Sequence, residues 1–450
     1  MDTTGYTPEE PIAAIATALA PAALGIVRTS GNGCIALIAP LFSRPDALCS
    51  APGNTLVYGW ITDGDRRIDE VMLSVYRAPK SFTGEDMVEI SCHGGVSVVS
   101  AVYNLLLAHG FRAAEHGEFT FRAYLNGKTD LTKAEAVREI IDAKTDVSRG
   151  RAAGRLAGQL YRTIDDVKKR LVDTLAAIEV DIEYPEDETA IRDSFQPADL
   201  EQARAVLADL ASSWQSEKLY QDGARVVLCG RTNAGKSSLF NALLKEDRAI
   251  VSDIAGTTRD WLESWVNFDG IPARLFDTAG LRRTEDAIEA RGVALAKDLT
   301  NDADLVLYVV DGSVGMTEDD RMFIDQSPAA VLTVWNKSDL NDTLIPPDAQ
   351  RVSAKTGAGI AALCAAVKHC LTAGKASART QSGLGSERQK VAVQAALESV
   401  THALALTKDY TLDAVVQDLE DALDALGTVT GDVTPDDVLG SIFAHFCVGK

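Results

Sequence analysis

Arg225–Asn241 reads RVVLCGRTNAGKSSLFN. Val226, Val227 and Leu228 form a short apolar run of the kind that makes a buried parallel strand. Gly230 to Ser237 then fits G-x-x-x-x-G-K-S/T at every specified position. Ser238, Leu239, Phe240 and Asn241 read as the first turn of a helix. Glycines at this spacing let backbone N–H groups approach phosphates, and a helix N-terminus favours anions. Lys236 adds positive charge and Ser237 a hydroxyl for Mg²⁺. A chance glycine-rich turn is the competing reading of the loop alone, and the motifs downstream argue against it.

Asp253-Ile254-Ala255-Gly256-Thr257-Thr258 follows the loop, and Thr258 is the threonine expected to reach Mg²⁺ and sense the γ-phosphate. Asp277-Thr278-Ala279-Gly280 closes an apolar strand as D-x-x-G, with Asp277 suited to the metal's surroundings and the Gly280 N–H to the γ-phosphate. Val331 to Trp335 leads into Asn336-Lys337-Ser338-Asp339, and an Asp there selects guanine by accepting from the base's N1–H and amine. Ser353-Ala354-Lys355 adds a backbone contact to the guanine oxygen. Five motifs in this order predict a complete guanine-nucleotide switch over residues 221–373. Its GTP contacts are expected at Asn233, Ala234, Gly235, Lys236, Ser237, Ser238, Ser252 and the motif residues just named.

Leu281 stands after D-x-x-G, where many GTPases carry a water-orienting Gln. Leucine cannot hydrogen-bond, so another group must act. The Asn233 side-chain oxygen, with backbone carbonyls between Ser252 and Thr257, is suited to a monovalent cation in the place of an arginine finger. Glu289 is the candidate for orienting water, against the alternative of a solvated helix carboxylate.

The 450 residues suggest roughly three domains, and a net charge of −21 argues against a generic basic nucleic-acid coat. RNA, if handled, needs a local patch or a partner's surface. Seven scattered cysteines without a C-x-x-C pair fit a reduced, cytoplasmic chain. Pro11 to Val27 is apolar but lacks a basic flank and holds Pro21, so it reads as a strand, a turn and a buried segment. Gly449 sits at a usually aliphatic position of a C-terminal prenylation box, which argues against lipidation of Cys447.

Before the switch, strand-like runs at Leu56–Ile61, Val71–Tyr76 and Met87–Ser91 and a helix over Val96–His109 suggest a small α+β domain at 1–128. Arg28, Glu89 and Lys128 stand there among glycines, expected on loops, lining a pocket or merely solvated. Apolar residues at helical spacing run from Leu131 to Ile178 and from Leu200 to Leu210. The texture returns from Val393 to Leu404 and from Leu412 to Leu426, with Gly427 as the expected stop. One helical domain, 129–220 plus 374–450, interrupted by an inserted α/β domain explains both halves. Thr434 and Pro435 start a last helix, after which Cys447 is a candidate nucleophile or a small hydrophobe in a seam.

The full pattern resembles the tRNA-modification GTPase family MnmE (TrmE). The likeness rests on SFTGED at 81–86, HGG at 93–95, GEF-x-x-RA-x-LN-x-K at 117–128, GRTNAGKSS, DIAGTTRD, DTAGL and the terminal FCVGK. It implies a multidomain chain: an N-terminal α+β domain for tetrahydrofolate binding and dimerisation, and an all-α domain interrupted by a Ras-like P-loop GTPase domain. It implies a homodimer working with an MnmG-type flavoprotein to modify C5 of the wobble uridine of tRNA. The implied folate contacts are Arg28, Glu89, Lys128 and Lys450; the K⁺ ligands Asn233, Ser252, Ile254 and Thr257; the Mg²⁺ ligands Ser237 and Thr258. Glu289 becomes the water-orienting residue and Cys447 a required thiol. Position 252 is Ser where the family often has Thr. A ribosome-assembly GTPase is the alternative, and the acidic balance weighs against it. A membrane-remodelling GTPase would need a basic amphipathic face, which the chain does not offer.

Overall fold

The computed structural model describes residues 10–183, 197–245, 263–277, 299–340, 346, 349–372, 383–406, 412–433 and 436–449. The chain divides into two compact units. The first comprises Met1–Arg138, Tyr161–Arg204 and Val391–Lys450; the second Glu139–Leu160 and Ala205–Lys390.

The first unit holds a six-stranded sheet of β1 (Ile12–Ile15), β2 (Leu24–Ser30), β3 (Thr55–Asp63), β4 (Arg66–Tyr76), β5 (Met87–His93) and β6 (Arg112–Ala113). Their spatial order is β3-β4-β5-β2-β1-β6. On β3 and β4 the inward residues alternate with open ones, as expected of antiparallel strands covered on one side; nearer β1 the second face is covered too, where Ile12, Ala14 and Met87 are buried with Phe119. Val57, Ile61, Val71, Leu73, Val75, Val88 and Ile90 are buried with α1 (Cys34–Ile38), α2 (Pro45–Ser50) and α3 (Val96–Ala108). The alternate residues Leu56, Tyr58 and Met72 are exposed. Gly64, at φ +57°, turns the β3–β4 hairpin. Gly110, at φ +95°, ends α3, with the Phe111 N–H donating to Leu106 O at 3.2 Å.

One expectation fails: Arg28, expected on a loop, lies on β2 directly opposite Glu89 of β5. The polar run Arg28-Thr29-Ser30 looks loop-like, yet Thr29 and Ser30 are fully buried; Thr29 bonds the Val88 carbonyl across the sheet and Ser30 the Thr83 hydroxyl.

Helices complete this unit. On α7 (Gln159–Glu183), Ile164, Val167, Leu171 and Ile178 are buried. Val393, Ala396, Val400 and Ala403 on α12 (Glu387–Leu406) and Val415, Leu419, Ala422 and Leu426 on α13 (Leu412–Thr430) are buried likewise. The α13 helix does not stop at Gly427. It continues to Thr430 and ends at Gly431, at φ +96°, where the Asp432 N–H donates to Gly427 O at 3.0 Å. Gly427 is thus the acceptor of the cap, not the cap. A further cluster joins Phe121 of α4 (Glu118–Leu125) and Leu131 of α5 (Leu131–Asp142) to Leu439 and Phe443 of α14 (Asp436–Ala444).

The second unit is built on a sheet ordered β12-β11-β10-β7-β9-β8. Its strands are β7 (Ala224–Cys229), β8 (Glu263–Phe268), β9 (Ile271–Asp277), β10 (Leu305–Asp311), β11 (Val331–Asn336) and β12 (Gln350–Arg351). All pairs are parallel except β8–β9. Both faces are covered, so the strands are continuous apolar runs. Val226 and Leu228 face one cluster with α9 (Lys236–Leu243) and α11 (Ile360–Leu371); Val227 and Cys229 face the other, with Ile324 of α10 (Glu318–Gln326). In the same unit, Arg155 of α6 (Asp146–Leu156) is 1% exposed. It bonds Glu139, Glu217 of α8 (Pro197–Asp222) and the carbonyl of Gly383. This network ties residues before the switch to the segment after it. Among the described residues, no helix is long and apolar enough to cross a membrane.

Candidate functional site

The phosphate loop leaves β7 and enters α9. Gly230, at φ +130°, passes so close to β10 that a Cβ there would lie 2.3 Å from Val309 O. Asn233 adopts φ +62°, a conformation asparagine tolerates better than most residues. Gly235, at φ +91°, precedes α9 without a side-chain cap, so first-turn N–H groups face the cradle. Lys236 is 8% exposed and donates to the carbonyls of Gly230 and Arg231, both at 2.8 Å. Its ammonium is thereby held at the loop. Ser237 Oγ donates to Asp277 Oδ2 at 2.8 Å, bringing the end of β9 to the start of α9. Two hard oxygen donors side by side fit Mg²⁺.

Asn336 braces the cradle. It is 2% exposed; its Nδ2 donates to Ala234 O at 3.0 Å and its Oδ1 accepts from the Ala354 N–H at 3.0 Å. One side chain therefore ties the phosphate loop to the guanine-recognition segments. Within the segment expected to contact the guanine oxygen, Ser353-Ala354-Lys355, the Ala354 N–H is engaged with Asn336. Asp339 is exposed and accepts from Ser353 Oγ at 2.6 Å. That bond is the first cause holding its carboxyl below the usual range. Lys337, at φ +63°, donates to Asp311 Oδ2 at 2.6 Å. Asp311 had no signal in the sequence beyond its place at the end of an apolar run. Ser238 and Lys355 flank the same loops. Ser252 through Thr258, Thr278, Ala279, Gly280, Leu281 and Glu289 lie outside the described residues, as does Lys450.

A second constellation occupies the first unit. Arg28 donates to Glu89 Oε1 from Nε at 2.9 Å and from Nη2 at 2.7 Å, and to Gly449 O from Nη1 at 3.2 Å. The Phe82 and Phe119 ring centroids each lie 5.6 Å from the guanidinium carbon. The C-terminal segment is anchored where His116 Nδ1 meets Phe446 O at 2.8 Å, and Val448 bridges His116. Cys447 is exposed. Lys128 Nζ donates to Pro79 O at 2.9 Å, on the loop that carries Phe82. Phe82 and Phe119 belong to quoted motifs, but nothing in the sequence singled them out as Arg28's neighbours.

A phosphate-loop sequence between β7 and α9, tied through Asn336 to the N-K-x-D segment, marks a P-loop GTPase. The family model described as "MnmE helical domain" matches residues 131–447, and "GTP-binding protein TrmE N-terminus" matches residues 11–128. The tRNA modification GTPase MnmE of Treponema denticola is 50% identical, covering 99% of both chains; that of Treponema pallidum is 44% identical, again over 99% of both. The Carboxydothermus hydrogenoformans protein of that name is 40% identical over 98% of this chain and 100% of its own. The chain belongs to the MnmE family of tRNA modification GTPases.

Proposed function

We propose that the chain hydrolyses GTP to drive addition of an aminomethyl-type group to C5 of the wobble uridine in tRNA. It acts in the cytoplasm as a homodimer together with an MnmG-type flavoprotein, and a tetrahydrofolate derivative supplies the carbon. Residues 1–128 bind the folate and the second copy. Residues 129–220 and 374–450 form one helical body around the GTPase domain at 221–373.

In the nucleotide cradle, Lys236 and the first-turn N–H groups of α9 bind phosphates, and Asp339 binds the guanine edge. Ser237 with Thr258 would hold Mg²⁺; Asn233 with Ser252, Ile254 and Thr257 would hold K⁺. The bound cations supply positive charge to the transferring phosphoryl group. Glu289 orients the attacking water in place of the missing Gln. Closure of two GTPase domains face to face orders the loops around the nucleotide.

The observation that carries the one-carbon reading is the largely buried Arg28–Glu89 pair, touched by Gly449 near the C-terminus. A plain GTPase needs no such constellation. Its carboxylate, guanidinium and aromatic rings suit a planar aminopyrimidine ring. Calorimetric titration with 5-formyltetrahydrofolate tests it. Wild type should bind, and Glu89→Gln should weaken binding at least tenfold while GDP binding persists. Equal binding by both would remove the assignment. Cys447 would serve as a required thiol, and Cys447→Ser should then abolish wobble modification as read by nucleoside mass analysis.

A further inference from the structure

The first unit carries an open surface pocket of about 530 Å³ lined by Tyr124, Lys128, Lys133, Tyr161, Thr430 and Asp432. That volume is within the range of small-molecule sites. Its walls are fixed from several elements. Tyr124 OH donates to Gly431 O at 2.5 Å, and a Cβ on Gly431 would lie 2.8 Å from the tyrosine ring. Lys133 pairs with Asp130 at 2.8 Å and lies over the Tyr161 ring, 5.2 Å from its centroid. Asp432 accepts from Lys168 and, at 2.8 Å, from Thr430 Oγ1.

The charges indicate what fits. Lys133 is offset by Asp130, and Asp432 by Lys168. Lys128 bonds only a neutral carbonyl, that of Pro79, and among the described residues no carboxylate pairs with it. Among the described residues the pocket therefore presents one cation without a carboxylate partner, two tyrosines, and hydroxyl and carboxylate groups. A polyanion would find too little positive charge, and a lipid tail too little apolar wall. A neutral, hydrogen-bonding ring carrying one anionic group matches.

We infer that this pocket takes a single extruded nucleotide of an RNA substrate, its base against the tyrosines and its phosphate on Lys128. Aromatic stacking with a nearby cation is the common mode for unstacked bases. The inference rests on the proposed action on tRNA. It also gives Lys128 a place between two sites. The lysine touches Pro79, and a Cβ on Gly84 would meet its stem at 3.3 Å; the intervening Phe82 flanks Arg28. The nucleotide would thus enter beside the Arg28–Glu89 pair.

Photocrosslinking tests this with the full chain and an anticodon stem-loop RNA carrying 4-thiouridine at the wobble position. The crosslink should map to peptides containing Tyr124, Lys133 or Tyr161. Tyr161→Leu should weaken binding of the unmodified stem-loop about 5- to 150-fold, the range for one lost stack, and Tyr161→Phe should bind as wild type does. Crosslinks confined to other peptides, or equal binding by Tyr161→Leu, would overturn the pocket's role while leaving the tRNA reading standing. Failure of the wild-type chain to bind the stem-loop would overturn both. The crosslink is read on the unsubstituted chain, so it holds even where the leucine variant misfolds.

Discussion

Asn336 shows how much one side chain carries. Removing its amide strands the Ala234 carbonyl and the Ala354 N–H in a site that is nearly closed to water. Each unsatisfied buried group costs about 1–3 kcal/mol. Asn336→Ala should therefore weaken GDP binding at least tenfold in a fluorescence titration; a change below twofold would refute the bracing role. Glu118 offers a test by pH. Burial alone would raise its pKa, but bonds from Arg112, the Glu115 N–H and Arg122 outweigh that and hold the carboxyl below its usual range. A carboxylate depressed in the folded state stabilises the fold above its unfolded pKa, and that stabilisation fades as pH falls through the folded value. Glu118→Gln should lower stability at pH 7 and flatten its decline below about pH 4.5, as followed by urea unfolding at stepped pH. An unchanged slope would show that Glu118 titrates alike in both states. The nucleotide residues were legible because each motif fixes its own partners. The Arg28–Glu89 contact was not, because strand register across 61 positions leaves no local mark.

At the scale of elements, helix stripes were easier to read than the seams between them. Large apolar residues marked α7, α12 and α13, yet the fully buried positions include Ala396, Ala403 and Ala422, which let helices approach closely. An alanine carries little hydrophobic signal, so only packing reveals its place. Helix ends turned on glycine conformation, and that is why Gly427 misled and Gly431 was missed. Gly431 needs both its left-handed backbone and its missing side chain: a Cβ would lie 2.7 Å from Leu131 Cγ. Gly431→Ala should destabilise the first unit by about 1–3 kcal/mol and lower its calorimetric transition. Gly127→Ala, also at positive φ but with open space around it, should be milder. Equal effects would assign the loss to backbone strain alone.

At the scale of the molecule, the charge of −21 and the open sheet face point in the same direction. A strongly acidic chain has little to draw RNA by general electrostatics, so association must come from shaped surfaces. The β3–β4 face exposes Leu56 (64%), Tyr58 (49%) and Met72 (37%), on the same side of the sheet as Arg28 and Glu89. Contiguous apolar exposure of this kind marks an interaction surface. If it joins two copies, each ion pair lies near the junction, and folate binding should depend on association. The double variant Tyr58→Lys, Met72→Lys should then run as a monomer in size exclusion with light scattering, bind GDP normally, and lose folate affinity. Tyr58→Phe should keep the dimer. A double variant that remains dimeric would move the interface elsewhere, and a monomeric variant with full folate affinity would separate the folate site from the junction.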